Sequence, residues 1–305
     1  MCGFFFTDNV KFLRNTSFTD VKQRGLKSFE FSHSNCYSLQ SILPTCTGNY
    51  TLAENDTYKL FYTGQVYNYD PSYSSDTEYV FDQLTKDIFN VNNFNGMFAF
   101  VLYNKVNGSV SIGRDKTGQI PLFVYNKDFL IVSNTIKSIV QNISTKVKED
   151  LFSIWRETKH YISLNSPWED IDEFPSGTLI HQDKIYNISG PTYNSNDVKR
   201  TLLELKDSYR SALPSAGIFS GGVDSSIISE LFEQPKVCLN NVGKDVISNN
   251  LDFALNIDEK EWCKNVDEFI NETYLIPYTW SWVSYYILGK YLKDINVVYT
   301  GEGAD

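Results

Sequence analysis

The chain opens Met1-Cys2-Gly3-Phe4-Phe5-Phe6. Loss of Met1, which the small residue behind it favours, would place a thiol and a free α-amino group on one residue. The model thiol titrates near ~8.5 and the α-amine near ~7.7–8.0, so a proton passes between them at almost no cost at neutral pH. Cys2 is then nucleophile and base at once, and a thiolate forms without a histidine. The apolar Gly3-Phe4-Phe5-Phe6 that follows reads as a buried strand. Taken alone, the six residues also fit a cysteine that is second by accident. The remainder of the chain decides between the two readings.

A second stretch, Ala216-Gly217-Ile218-Phe219-Ser220-Gly221-Gly222-Val223-Asp224-Ser225-Ser226-Ile227-Ile228, is a short apolar run, a glycine pair with hydroxyls, and the first turns of a helix. Glycines let backbone approach phosphate oxygens, and Ser220, Ser225 and Ser226 offer donors. A helix start adds unpaired N–H groups and a positive dipole end. Asp224 would repel a bare phosphate, so its presence implies a bridging divalent cation, Mg²⁺ by preference for carboxylate and phosphate oxygens. No Gly-Lys-Ser/Thr follows the glycines, so this is not a Walker A loop. The alternative is a glycine-rich turn in which Asp and Ser act as caps.

Around these stretches the pattern changes once. Residues 1–190 alternate short aromatic and β-branched runs (58–62, 97–103, 110–112, 129–132) with Asn, Asp and Gly turns, which predicts antiparallel sheets with a few helices, such as 76–89, packed on them. Residues 187–192 and the Asn-Ser-Asn-Asp after them read as a linker. Beyond residue 200, helical and strand patterns alternate: helices over 202–212, 225–233 and 259–270, strands over 217–219, 253–257 and 295–300. That predicts a doubly wound α/β domain with its ligand site at the strand ends. Asp258, ahead of a helical run, either caps it or reaches a ligand.

With 305 residues, 42% of them hydrophobic, the chain is long enough for two modest cores. A net charge of −10 argues against nucleic acid or an anionic membrane as partner. No stretch approaches the ~20 apolar residues of a membrane helix, and the opening is too short for a signal peptide, so a cytoplasmic enzyme is expected. Five cysteines without paired spacing predict reduced thiols, and three histidines with no Cys-x-x-Cys or His-Glu-x-x-His make zinc a poor candidate.

The two stretches, in this order and about two hundred residues apart, resemble the class B, glutamine-hydrolysing asparagine synthetases. Other segments carry the resemblance further. Gly64-Gln65-Val66-Tyr67-Asn68 is similar to that family's Asn-Gly-Glu-Ile-Tyr-Asn, Ser75-Asp76-Thr77-Glu78 to its Ser-Asp-Cys-Glu, and Arg24-Gly25 to its Arg-Gly-Pro-Asp. Gly96-Met97-Phe98-Ala99-Phe100, Gly113-Arg114-Asp115-Lys116-Thr117-Gly118-Gln119-Ile120-Pro121-Leu122 and Phe174-Pro175-Ser176-Gly177 match further runs, and Gly301-Glu302-Gly303-Ala304-Asp305 resembles the acidic loop Ser-Gly-Glu-Gly-Ser-Asp.

The resemblance implies an N-terminal-nucleophile glutaminase of sandwiched antiparallel sheets over residues 1–190 and an ATP-pyrophosphatase domain over 200–305. It implies glutamine-dependent synthesis of asparagine from aspartate, with ATP and Mg²⁺, through β-aspartyl-AMP. Cys2 and Glu302 would be catalytic. Thr63, Gly64, Gln65, Asn35 and Asp76 would surround glutamine, with Asp76 on its α-ammonium. Phe219, Ser220, Gly221, Gly222, Asp224, Ser225, Ser226, Leu255, Thr300 and Gly301 would bind ATP, and Asp224 and Asp305 would hold Mg²⁺.

Three departures stand against the family pattern. Thr63 replaces the Asn whose amide helps form the oxyanion hole. Gln65 replaces Glu. If His33-Ser34-Asn35-Cys36-Tyr37-Ser38 corresponds to the family's His-x-Arg-Leu-Ser-Ile, Asn35 stands where an Arg clamps the substrate carboxylate, without its charge. Family members also continue well past the position of Asp305, so a second polypeptide, or a homodimer, would complete the later domain. The alternatives are a related amide ligase with another acid acceptor, or a truncated, non-catalytic relative that acts with a partner chain.

Overall fold

The phenylalanines of the opening stretch form the middle of a sandwich. A computed structural model describes residues 2–44, 52–150, 153, 157, 166–191, 206, 213–220, 222–232, 235–240, 253–277 and 280–301. The chain divides into two units, Met1–Tyr193 with Glu272–Ile276, and Asn194–Asn271 with Pro277–Asp305.

In the first unit, β1 (Gly3–Thr7), β2 (Lys27–His33) and β3 (Cys36–Ile42) belong to one sheet, and β4 (Ala53–Glu54), β5 (Tyr58–Val66), β6 (Gly96–Asn104) and β7 (Val110–Arg114) to another. β8 (Phe123–Asn126), β9 (Leu130–Ser133) and β10 (Ile171–Glu173) complete the first sheet, β11 (Thr178–His181) and β12 (Lys184–Asn187) the second. The strand orders are β10-β8-β9-β1-β3-β2 and β12-β11-β7-β6-β5-β4, antiparallel throughout.

Alternation along β1 explains the layers. Phe4 and Phe6 pack between the sheets with Phe61, Val101 and Val132. Phe5 points the other way, onto Leu39, Ile136 and Ile139, under α1 (Thr19–Lys22) and α3 (Ile136–Val140). On the far face of the second sheet, Leu60 and Tyr62 meet Val80 and Leu84 of α2 (Asp76–Lys86). The unit is therefore helix, sheet, sheet, helix. Each fully buried Phe contributes about 1.5–3 kcal/mol relative to exposure, which is why three in succession specify a strand covered on both faces.

α2 ends at Lys86, short of the expected 89, because Asp87 leaves the helix in an extended conformation and its carboxylate accepts from the Phe89 amide at 3.0 Å, opening a 3-10 turn over Ile88–Asn93. The stretch read as a linker begins later than expected. Asn187 closes β12, and Ile188 is buried in the core.

The Gly-Arg-Asp run is structural. Arg114 donates from Nε to Ile120 O at 2.6 Å and from Nη2 to Gly118 O at 2.7 Å, bonds Phe174 O through Nη1, and pairs with Glu173 at 2.8 Å. Asp115 accepts from the Thr117, Gln119 and Phe98 amides. One buried guanidinium thus stitches the end of β7 to segments that lead into and out of the other sheet.

The second unit contains a parallel sheet of order β15-β14-β13-β16, made of β13 (Ser215–Ile218), β14 (Lys236–Asn240), β15 (Phe253–Asn256) and β16 (Val297–Tyr299). Helices α4 (Val223–Phe232), α5 (Glu259–Thr273) and α6 (Trp280–Tyr291) lie between its strands in sequence. The helix expected over 202–212 lies largely outside the described residues. Asp258 caps α5, its Oδ1 accepting from Glu261 N at 2.7 Å. No helix among the described residues is long and apolar enough to cross a membrane. The described cysteines, Cys2, Cys36, Cys238 and Cys263, are free thiols.

Candidate active site

The β1 ladder starts at the pair Gly3–Ser41. Cys2 therefore stands one residue outside it, where backbone groups need other partners. Those partners are specific. Thr63 Oγ1 donates to the Cys2 carbonyl at 2.8 Å, and Asn134 Nδ2 donates to the same oxygen at 2.9 Å. The sulfur accepts from the Leu43 amide at 3.3 Å. Burial pushes the Cys2 thiol up; the Leu43 amide opposes that rise, and the negative charge of Asp76 adds to it.

Asp76 is a second ionisable group here. It starts α2 behind the Ser75 N-cap, and only 6% of its surface is exposed. Its Oδ2 accepts from Tyr62 Oη at 2.9 Å and from Val66 N at 3.1 Å. Burial raises its carboxyl above the usual range, against the pull of those hydrogen bonds. None of the described salt bridges involves Asp76. An enclosed carboxylate held only by neutral donors carries its charge without a counter-charge beside it.

Gly64, between Thr63 and Gln65, has φ +136°, and a Cβ there would lie 2.1 Å from Met97 O. Only glycine fits this point of β5. Gln65 pairs with Met97 and, by strand alternation, stands on the same face as Thr63.

The structure thus brings Cys2, Thr63, Gly64 and Asp76 to one end of the sandwich, but not Asn35. The register runs from Gly3–Ser41 to Thr7–Tyr37, and Asn35 lies two residues beyond, exposed, with its carbonyl on Val10 N at 2.7 Å. At ~3.3 Å per residue it is on the order of 20 Å from Cys2. The correspondence between residues 33–38 and the substrate-clamping segment does not place an arginine position at this site. Leu43 and Asn134, which do reach Cys2, were not signalled by any motif.

In the second unit, residues 219–226 follow β13, whose neighbours β14 and β16 continue the sheet in opposite directions. This is a topological switch point. Ser220 Oγ and Ser225 Oγ lie 3.1 Å apart, Ser225 Oγ accepts from Ser220 N at 3.2 Å, and Ser226 Oγ donates to Gly222 O at 2.7 Å. Gly301 passes so close that a Cβ would lie 2.9 Å from the Ser225 nitrogen. Phe219 N is bonded to Val237 O at 2.8 Å, and Thr300 Oγ1 lies 3.2 Å from Tyr285 Oη. Leu255 stands two strands away on β15, packed against the apolar cluster of Ile257, Val283 and Ile287. Gly221, Glu302 and Asp305 lie outside the described residues. Among the described residues, no group of three or more His, Cys, Asp or Glu could hold a metal ion.

Comparison with known proteins fits the first unit. The glutamine amidotransferase domain family matches residues 40–193, just over half of the chain. That segment includes Leu43, Thr63, Gly64, Asp76 and Asn134 and begins after Cys2. A Methanocaldococcus jannaschii protein named as a glutamine-hydrolyzing asparagine synthetase is 25% identical over 206 residues, which are 55% of this chain and 39% of that protein. One from Dictyostelium discoideum is 25% identical over 207 residues, 59% of this chain and 34% of that protein. Asparagine synthetase B of Escherichia coli K12 is 30% identical over 142 residues, 45% of this chain and 23% of that protein. The chain spans less than two fifths of the length of these relatives. The resemblance carried by the motifs is the one these comparisons find.

Proposed function

Given that the chain belongs to the glutamine amidotransferase domain family, we propose that it hydrolyses glutamine at Cys2 and passes the ammonia to an ATP-dependent synthesis of asparagine from aspartate. The observation that carries the first half is that Leu43, Thr63 and Asn134, all within the matched segment, close around Cys2.

Removal of Met1 frees the α-amine of Cys2. The sulfur attacks the glutamine carboxamide carbon while the amine takes the thiol proton and returns it to the departing nitrogen, so that ammonia leaves and a thioester remains. Water, deprotonated by the same amine, cleaves the thioester to glutamate and restores the thiol. Asp76 receives the substrate α-ammonium, the one cation its neutral surroundings lack. With Gly64, the backbone at this point of β5 offers the close approach that a substrate carbonyl needs.

The ATP-dependent half rests on residues 219–226. What supports it is the set of Ser220, Ser225 and Ser226 hydroxyls beside the start of α4 at a switch point, with bare Gly301 backbone alongside. Gly221, Gly222, Phe219 and Thr300 would complete the ATP contacts, Asp224 and Asp305 would hold Mg²⁺, and Glu302 would act on the acceptor carboxylate. Leu255, two strands away, packs with Ile257, Val283 and Ile287. Bound ATP would supply the leaving group that makes the aspartate carboxylate reactive towards ammonia. A cytoplasmic setting suits all of the substrates.

The test is to supply the purified chain, shown by mass to begin at Cys2, with glutamine, and in parallel with aspartate, ATP, Mg²⁺ and ammonium. Glutamate from the first and AMP with asparagine from the second are expected. No glutamate from a chain that begins at Cys2 sinks the first half, and AMP absent under ammonium shows that this chain by itself does not carry the second.

A further inference from the structure

Thr63 replaces a residue expected to donate to the substrate, yet its hydroxyl has one proton, and that proton is on the Cys2 carbonyl at 2.8 Å. Asn134 Nδ2 reaches the same oxygen at 2.9 Å, while Asn134 Oδ1 accepts from Phe4 N at 2.9 Å. The amide orientation is fixed by this arrangement, because a flipped Asn134 would set its NH₂ against the Phe4 N–H and its oxygen against the Cys2 carbonyl. Thr63 is 0% and Asn134 1% exposed, so no water competes for either donor. The two come from different sheets, Thr63 from β5 and Asn134 from the residue after β9. Ser133 Oγ adds a donor to Phe4 O at 2.8 Å.

We propose that Thr63 and Asn134 are positioning residues, a two-donor clamp on the Cys2 carbonyl that fixes the N-terminal residue beyond the end of the β1 ladder, and that Thr63 is not an oxyanion donor. This rests on the reading of Cys2 as the nucleophile. The thiol and the α-amine both hang from the Cys2 Cα. Fixing the third substituent, the carbonyl, holds the Cα from which the sulfur reaches the Leu43 amide and from which the amine projects. In an ordinary strand the ladder does this. At residue 2 there is no ladder, and the clamp takes its place.

Alkylation of Cys2 by iodoacetamide separates the two roles. Displacement of iodide by sulfur develops no oxyanion on an amide carbon, so an oxyanion donor cannot affect it. A clamp can, because it sets the contact between sulfur and the Leu43 amide. The variants are Thr63→Val, which keeps shape and loses the donor, and Thr63→Ser, which keeps the donor; Thr63→Ala replaces valine should that variant not fold. The N-terminal peptide is followed by mass spectrometry across pH, with Asp76 and the α-amine unchanged throughout.

In Thr63→Val the alkylation midpoint moves upward, kcat for glutamine hydrolysis falls about ten- to a hundredfold, KM for glutamine stays put, and Thr63→Ser restores all three. A lower kcat with an unmoved alkylation profile makes Thr63 an oxyanion donor and overturns the proposal. A raised KM, or no change in any quantity, overturns it as well. Should the unaltered chain hydrolyse no glutamine, the functional reading fails, and the alkylation profiles still decide whether the clamp exists.

Discussion

Cys2 and Cys36 stand at opposite ends of the same pair of strands. The register places Cys2 one step before Gly3–Ser41 and Cys36 one step beyond Thr7–Tyr37. Both thiols are pushed up by burial, Cys36 to about 12 with the charge of Asp8 adding to the rise. Cys36 belongs to the apolar cluster between the sheets, and no hydrogen-bond donor among the described residues reaches its sulfur. At Cys2 a backbone amide points at the sulfur and two side chains hold the carbonyl. Burial alone leaves a cysteine as a small packing residue. A donor aimed at the sulfur and a strand end fixed by side chains are what separate a nucleophile from filler.

The comparison is broken most directly by exchanging the two roles. Cys2→Ala is expected to abolish glutamate formation from glutamine. Cys36→Ala should keep the rate within about twofold and lower stability in urea by roughly 0.5–3 kcal/mol, the usual range for a buried truncation. A Cys36 variant without activity but with wild-type stability would mean that the wrong end of the strand pair has been assigned.

Asp76 gives the next largest effect, with two signs. Its folded carboxyl is raised above its unfolded value, chiefly by burial. Such a group contributes stability that is present below the unfolded value, near ~3.9, and lost as pH rises through the folded one. Above that folded value the ionised carboxylate therefore opposes folding. Asp76→Asn is expected to raise Tm at pH 7 and to remove the gain seen on acidification. The same change takes away the partner for the substrate ammonium, a loss of about 2–5 kcal/mol for one member of a buried charge pair, so KM for glutamine should rise thirtyfold or more. Thermal scans at pH 4 and pH 7, with glutamine kinetics alongside, check both. A variant that is less stable at pH 7 would show that the hydrogen bonds from Tyr62 and Val66 outweigh burial.

How much of this was legible follows from which interactions are local. The Phe4-Phe5-Phe6 run, the alternation over residues 58–62 and 97–103, and the turn after residue 218 carry their reading in neighbouring letters. The helix Trp280–Tyr291 does not: Trp282, Val283, Tyr285, Tyr286, Ile287, Leu288 and Tyr291 put apolar groups all round it, so no 3.6-residue stripe shows, and Val283 and Ile287 are fully buried. The strand Lys236–Asn240 is short and follows a proline without a turn signal of its own. Gly113-Arg114-Asp115 was recognisable as a motif, yet its work, tying carbonyls 118, 120 and 174 together, appears only once the two sheets are stacked. Leu43 acts through its amide, which every non-proline residue has, and Asn134 meets Cys2 across 132 positions of sequence. Neither leaves a spacing to read.

Asn35 tests the comparison at its weakest effect, and the test is sharp because a null result is expected. By letter order, residues 33–38 suggested a segment that clamps the substrate carboxylate, with Asn35 in place of an arginine. By strand register, that residue belongs to the Cys36 end, on the order of 20 Å from the nucleophile, in a β2–β3 turn where Ser34 has φ 54° and Asn35 O accepts from Val10 N. Asn35→Ala and Asn35→Arg should then both leave KM for glutamine within about twofold of the unaltered chain. The arginine variant is the informative one: a guanidinium at a true carboxylate site would add a charge-assisted, two-point contact and lower KM tenfold or more, whereas on an exposed turn at the far end of the sandwich it meets only water. A drop in KM for Asn35→Arg would mean that the substrate reaches across the sandwich to the second cysteine, and the distinction between its two ends would have to be redrawn.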